Sequence, residues 1–174
     1  MSWHTSAILL KADYSKDYPS LLKKLGLDGA EPGGVMSFEE ASSSHNEGVA
    51  VGTVNGWTGV WGMILTMIDD RAVAKLAKKT DVFQMVLEGA SDTAGFTWWT
   101  GGKRVRDWLR QQGKLFKNDG TPLPQEKKAF TKRDDEQAVL QMLLSLTLPL
   151  EQLEAIPYQM FEVSEDLLLE MVSE

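Results

Sequence analysis

Cysteine is absent from this 174-residue chain, and histidine occurs only twice, at His4 and His45. Without cysteine the chain can form no disulfide bond, no thiolate metal site and no Cys-His nucleophile pair. Two histidines also leave few nitrogen ligands for zinc. The sequence therefore offers little material for metal or nucleophile chemistry, and we assign no catalytic, cofactor-binding or metal-binding residue.

Other catalytic patterns are missing as well. The serines at residues 42–44 lack the G-x-S-x-G context of a hydrolase nucleophile, and His45 lies in a polar turn. The glycine-rich residues 31–34 and 55–59 do not join a strand to a helix with phosphate-loop spacing. Asp69 and Asp70 precede a helical pattern, so we interpret them as helix-capping residues rather than metal ligands.

A long hydrophobic run is also missing. The longest apolar run is far shorter than the roughly 20 residues that span a bilayer, and residues 1–15 lack the features of a signal peptide. A length of 174 residues with 43% hydrophobic content suits one domain with a sizeable core. We therefore predict a single cytoplasmic domain over residues 1–174 that does not contact a membrane.

Basic residues are missing from the last part of the chain. Residues 134–174 contain ten acids and no base, whereas residues 1–133 contain all 18 lysines and arginines against 15 acids. These acids either form surface salt bridges with the basic residues of the body or remain unpaired and face a basic protein partner. We predict the second outcome, because ten acids exceed the small positive surplus of the body. The candidate binding surface comprises Glu151, Glu154, Glu162, Glu165, Asp166 and Glu170.

The most informative stretch that is present covers residues 95–112, GFTWWTGGKRVRDWLRQQ. Glycine adopts the positive φ of a tight turn without a Cβ clash, so Gly101 and Gly102 predict a hairpin between two strands. Strand alternation predicts that Val105 and Leu109 point inward. The opposite, solvated face then carries Arg104, Arg106, Trp108 and Arg110.

The tryptophans of this hairpin interleave with basic residues, as in proteins that stack on single-stranded nucleic acid. Strand alternation explains the same spacing more simply. A net charge of −7 also opposes binding to a phosphate backbone. We therefore do not expect nucleic acid as a partner.

Periodicity in the rest of the chain predicts an α+β fold. Besides the hairpin, the strand candidates are residues 6–12, 35–41, 49–54, 57–68, 82–88 and 113–116. A short helix precedes Gly26, residues 27–34 form a loop, and helical spacing follows at residues 69–79, 134–146, 150–155 and 164–171. We predict one twisted, mainly antiparallel sheet of six to eight strands, with helices packed on one side and a helical acidic C-terminal end.

The apolar positions of three of these strands predict the core. Each of these side chains lies on the alternating apolar face of its strand, so all should be largely buried. The predicted core residues are Trp61, Met63, Leu65, Phe83, Met85 and Trp98.

The order of features along the chain is strand, helix, meandering sheet, GGKRVRDW, DGTPLPQE and an acidic helical end. This order resembles that of small bacterial domains of unknown function, some of which are similar to immunity proteins encoded beside toxins. The resemblance spans most of the chain and carries over no functional residue. It implies a binding role.

Two classes of function follow from the sequence. We favour a non-enzymatic binding protein, inhibitor-like, because nucleophiles and metal ligands are scarce and the chain has an acidic end. The alternative is a small-molecule-binding protein or enzyme with a tryptophan-lined cleft, since aromatic walls with a few polar groups form ordinary ligand sites. The candidate cleft residues are Trp57, Trp61, Trp98, Arg104, Arg106 and Asp107. The sequence indicates no oligomeric state.

Overall fold

A computed structural model describes residues 3–173 of the chain. These residues form one sheet of nine antiparallel strands and seven α-helices. The strands are β1 (His4–Leu10), β2 (Glu31–Met36), β3 (Val49–Val54), β4 (Trp57–Trp61), β5 (Val82–Glu88), β6 (Thr93–Thr100), β7 (Lys103–Gln111), β8 (Lys114–Asp119) and β9 (Tyr158–Glu162). The helices are α1 (Tyr18–Lys24), α2 (Phe38–Ala41), α3 (Asp70–Ala77), α4 (Glu126–Ala129), α5 (Asp135–Leu146), α6 (Leu150–Ala155) and α7 (Glu165–Ser173).

The predicted α+β class with one antiparallel sheet is confirmed, but the sheet has nine strands rather than six to eight. Its order is β2-β9-β3-β4-β1-β5-β6-β7-β8. β2 takes in part of the segment predicted as a loop, and its glycines and proline are tolerated because it is an edge strand. β9 was not predicted because its partners β2 and β3 are remote in sequence, so no local pattern shows that it pairs with both.

The prediction that helices pack on one side of the sheet is wrong, because helices cover both faces. The first face packs against α2, α4, α5 and α6, and the second face packs against α1, α3 and α7. The central strand β1 shows why two layers form: Leu9 belongs to the core of the first face and Leu10 to that of the second. A strand that is apolar on both sides must be covered on both sides.

The hairpin at residues 95–112 is confirmed. β6 and β7 pair across Gly101 and Gly102, whose φ angles are +60° and +78°. Trp98 pairs with Arg106 but Trp99 pairs with Arg104, so the strand register shifts between them and leaves an extra residue, Val105, in β7.

The predicted solvent exposure of β7 is wrong for Arg106 and Trp108, whereas Arg104 is exposed as predicted. Trp108 is only 6% exposed and Arg106 only 3%, whereas Val105 and Leu109 are half-buried. Helices cover the first face at this point, since Trp108 meets Phe130 edge to face at 4.7 Å between ring centroids. The bulge also moves Arg104 to the second face, so the four residues predicted to share a solvated face do not share one.

The predicted strand over residues 57–68 ends early, at Trp61. The next residue, Gly62, has a φ of +151°, and a Cβ there would collide with the carbonyl oxygen of Gly48. The chain continues from Gly62 as a 3-10 turn at Met63–Met67. Met63 lies in this turn and is half-buried rather than buried, and Trp98 of β6 is also half-buried. Trp61, Leu65, Phe83 and Met85 are buried as predicted.

The helical C-terminal end is confirmed. Asp134 caps α5 by accepting a hydrogen bond from the backbone N–H of Gln137 at 2.8 Å. Val139 and Leu143 of α5 are buried against the first face, and their neighbours Leu140 and Leu144 are partly buried there. Within residues 3–173, no helix combines the length and apolar character that are needed to cross a membrane.

Candidate functional site

The six acids of the predicted binding surface are all exposed. Glu151 and Glu154 lie on α6, Glu162 ends β9, and Glu165, Asp166 and Glu170 lie on α7. Among residues 3–173, no lysine, arginine or histidine side chain forms an ion pair within 4 Å of any of the six. Their charges are therefore not neutralised by the body of the described structure.

The structure does not bring these six acids onto one surface. Leu153 of α6 packs into the core of the first face, whereas Leu167 and Met171 of α7 pack against the core of the second face. The acids of α6 and of α7 consequently lie on opposite sides of the sheet. The larger group is the one on α7.

The outward side of α7 also carries apolar residues. Leu169 is 65% exposed and Val172 is 72% exposed. Residues four apart on a helix are neighbours, so Glu165 borders Leu169, and Asp166 borders Glu170. We call the set Glu165, Asp166, Leu169, Glu170 and Val172 the α7 surface. It is an apolar pair with acids around it and with no base among its own residues.

The three tryptophans of the alternative site do not form the walls of a cleft. Trp61 is fully buried and meets Phe38 edge to face at 5.2 Å between ring centroids. Trp57 and Trp98 are partly buried and pack against the same core on the first face. All three rings serve the packing of helices on this face.

Arg106 also lies on the first face, where it forms a buried ion pair. Its guanidinium donates to the two carboxylate oxygens of Glu126 at 2.8 and 2.9 Å. It donates in addition to the backbone carbonyl of Asp119 at 3.0 Å. These bonds occupy Arg106 in joining β7 to α4, so it is not available to a ligand.

Arg104 and Asp107 lie together on the second face and line a cleft of about 180 Å³. The guanidinium of Arg104 rests over the ring of Trp99, and it donates to Asp70 at 2.9 Å. Its distance to Asp107 is longer, 3.6 Å, and the ammonium of Lys117 is also 3.6 Å from Asp107. We call this hollow the Asp107 cleft.

The floor of the Asp107 cleft is polar. The carbonyl oxygen of the Gln84 side chain accepts hydrogen bonds from the Thr97 hydroxyl at 2.8 Å and from the Trp99 indole N–H at 2.6 Å. Gly95 continues the floor beside Thr97, and the turn at Met63–Met67 forms one wall. Strands β5, β6, β7 and β8 thus each contribute to one small cleft.

Sequence reasoning missed Gln84 and Lys117 as members of this cleft. The one local signal for this site in the sequence is Gln84, a polar residue within the otherwise apolar strand β5. Lys117 lay just beyond the predicted last strand, whereas β8 extends through Asp119. Pairing of Leu109 with Lys117 and of Thr97 with Asp107 brings these side chains together, and pairing cannot be read from a single strand.

The clear pKa shifts have local structural causes. Hydrogen bonds from Ser91 and His4 lower the pKa of Glu88 to about 2, and this carboxylate joins the end of β5 to the start of β1. Burial raises the pKa of Glu136 and that of Tyr158. These groups lie outside the α7 surface and the Asp107 cleft.

The described residues contain no cluster of three or more His, Asp or Glu side chains that could hold a metal ion. Asp69 caps α3 by accepting the backbone N–H of Arg71 at 2.7 Å, while Asp70 pairs with Arg104. The capping interpretation therefore holds for Asp69 and not for Asp70. A bound metal is not needed to account for either side chain.

Comparison with protein-family models, with curated proteins and with solved structures found no match to this chain. The resemblance to small immunity-like bacterial domains therefore stays a prediction.

Proposed function

We propose that the protein is a non-enzymatic, inhibitor-like binding protein that binds a basic protein partner through the α7 surface. The observation that carries the proposal is the exposed apolar pair Leu169 and Val172 with three acids around it. None of these acids has a base within 4 Å among residues 3–173.

The arrangement of apolar and charged groups fits a protein interface. Specific interfaces have an apolar centre and a polar rim, and an exposed apolar patch with a polar border marks such a site. Leu169 and Val172 supply the centre, while Glu165, Asp166 and Glu170 supply the rim. An ordinary solvated helix instead intersperses acids with lysines at helical spacing.

The sign of the charge selects the partner. Unpaired acids produce a negative field that speeds the approach of a basic protein and repels nucleic acid. Residues 134–174 contain ten acids and no base, so the field of the α7 surface is not cancelled by its own segment. The partner is therefore a protein with a basic, partly apolar patch.

The test is capture from a lysate of the source organism, using three forms of the protein. The variant Glu165→Lys/Asp166→Lys/Glu170→Lys reverses the rim of the α7 surface, and Leu169→Ser/Val172→Ser removes its apolar centre. The matched control is Glu151→Lys/Glu154→Lys, which reverses the exposed acids of α6 on the opposite side of the sheet. Thermal melts establish that each variant is folded.

We expect wild type and the α6 control to retain the same basic protein, and both α7 variants to lose it. With that partner purified, calorimetry should show a Kd weakened by roughly a hundredfold or more in each α7 variant and by less than about threefold in the control. Retention of the partner by both α7 variants, or capture only of proteins without a basic patch, would contradict the proposal.

A further inference from the structure

The carboxylate of Asp107 is buried without the hydrogen bonds that such a group requires. Asp107 is 4% exposed, and its Oδ2 atom is buried and accepts no hydrogen bond among residues 3–173. Arg104 and Lys117 each approach only to 3.6 Å. Buried charged oxygens are almost always hydrogen-bonded, so Asp107 lacks a donor that a molecule in the cleft could supply.

Gln84 offers the cleft a hydrogen-bond donor. An indole N–H can only donate, so the atom of Gln84 that lies 2.6 Å from the Trp99 indole is its carbonyl oxygen. The Thr97 hydroxyl donates to the same oxygen. The NH₂ group of Gln84 then has no acceptor among the described residues, and Gln84 lines the cleft. Lys117, whose side chain is 49% exposed, is a second donor at the rim.

The charges of the cleft balance. Two acids, Asp70 and Asp107, and two bases, Arg104 and Lys117, line it. A ligand with a large net charge gains little from such a site. A small molecule with separated positive and negative ends matches it, because one end can meet Asp107 while the other meets Lys117 and Gln84.

The size of the cleft limits the ligand. Its volume of about 180 Å³ lies below the roughly 300–1,000 Å³ of pockets that take drug-sized molecules. Gly95 contributes to this space, since a Cβ there would come within 2.7 Å of the Leu109 side chain. The half-buried side chains of Val86 and Leu109 border the glycine and give part of the cleft an apolar wall.

We propose that the Asp107 cleft binds a free α-amino acid. Its ammonium group donates to the carboxylate of Asp107, its carboxylate accepts from Lys117 and from the NH₂ group of Gln84, and its side chain lies against Leu109. The site is distinct from the α7 surface. A larger hollow of about 680 Å³ beside Trp108 and Phe130 is a weaker candidate, because its buried charged residue, Glu126, is already paired with Arg106.

The test is binding of the twenty free amino acids to the whole protein, measured by thermal melts and by calorimetry. At about one hundred times its Kd, a bound amino acid should raise the Tm by roughly 5 °C or more. Each amino acid that binds is compared with its primary amide, which lacks the carboxylate, and with its N-acetyl form, which lacks the ammonium group. Both derivatives should bind at least about tenfold more weakly.

Three variants locate the site. Asp107→Asn and Lys117→Gln should each weaken the Kd by at least about tenfold, because each removes one charged contact. Lys114→Gln, on the same exposed strand but outside the cleft, should leave the Kd unchanged. Lys117→Gln carries the test alone if Asp107→Asn does not fold. The proposal is overturned if no amino acid binds, or if the Kd of a bound one is the same in Lys117→Gln as in wild type.

Discussion

Arg106 shows how one residue can change role when the neighbouring elements are known. Strand alternation predicted that Arg106 lies on a solvated face. It is instead 3% exposed and connects β7 to α4 through its ion pair with Glu126. Glu126 is also nearly buried and accepts the backbone N–H of Leu123. Each charged group compensates the other for the hydration that is lost on burial. Removing either one therefore leaves a buried, unpaired charge.

We expect Arg106→Met to lower the free energy of unfolding by about 3–5 kcal/mol, because it leaves the Glu126 carboxylate buried and unpaired. Urea denaturation measures this change. Adding Glu126→Leu should restore most of the loss, since the unpaired charge is then removed.

The matched control for this pair lies on the same strand. Arg110 approaches Asp135 at 3.5 Å, and both side chains are 38% exposed. Arg110→Met should therefore cost no more than about 1 kcal/mol. Equal costs for Arg106→Met and Arg110→Met, or no recovery in the double variant, would show that the Arg106 pair is not the buried contact described.

At the scale of elements, the β6-β7 hairpin depends on its two-glycine turn. Gly102 has a φ of +78°, and a Cβ there would come within 2.8 Å of the Lys78 side chain. Gly34, in the edge strand β2, has no positive φ and nothing within 4 Å of a Cβ position. Gly34 therefore serves as the control for Gly102, because the same substitution can be made at a glycine with positive φ and at one without it.

Gly102→Val should destabilise the protein by about 1 kcal/mol or more, because β-branched residues are strongly disfavoured at positive φ. Gly34→Val should change stability by less than about 0.5 kcal/mol, as an ordinary surface substitution does. Denaturant midpoints of the two variants give the comparison. A Gly102→Val protein as stable as the Gly34→Val protein would mean that the turn does not require positive φ.

The elements that could be predicted are those whose signals are local. The glycine turn of the hairpin, the aspartate cap of α3 and the apolar run of β1 each lie within a few residues of the structure they specify. The bulge at Val105 and the insertion of β9 beside β3 depend on contacts between remote segments. The bulge separates Arg104 from the face that Arg106 and Trp108 share, and helices bury that face, so the predicted exposure of β7 was wrong for Arg106 and Trp108 even though the strand itself was predicted.

The same distinction applies to the candidate sites. The acids of α7 were predictable because a run of acids without a base is visible in the sequence. The exposed positions of Leu169 and Val172 were not, since they depend on which side of α7 packs on the sheet. The Asp107 cleft combines residues from neighbouring strands, and the register that aligns Thr97 with Asp107 and Leu109 with Lys117 is a property of the whole sheet.

At the scale of the whole molecule, the charge asymmetry of the sequence persists in the structure. Within residues 3–173, the segment from residue 134 onward forms one ion pair, between Asp135 and Arg110. Most pairs of the body join its own acids and bases. Apart from Asp135, the described acids of this end therefore add like charges around the sheet without an ion-pair partner among residues 3–173, and these charges repel one another.

This repulsion predicts how stability depends on salt. Sodium chloride screens exposed charges over a distance of about 10 Å at 0.1 M. Screening weakens the few exposed ion pairs, each worth at most about 1 kcal/mol, but it also relieves the repulsion among the unpaired acids. Because the net charge is −7, the relief of repulsion should dominate. The Tm should therefore rise between low salt and about 0.5 M sodium chloride, a concentration at which exposed charges are strongly screened.

The variant Glu165→Lys/Asp166→Lys/Glu170→Lys provides the control, since it makes the net charge less negative and should reduce the rise. Sodium chloride is preferred to sulfate, because sulfate strengthens apolar burial whatever the charge. A Tm that falls with added salt in wild type would show that attractive pairs dominate. The acidic end would then stabilise the fold through attractive pairs. That result would remove the main support for the α7 acids as a surface that attracts a basic partner.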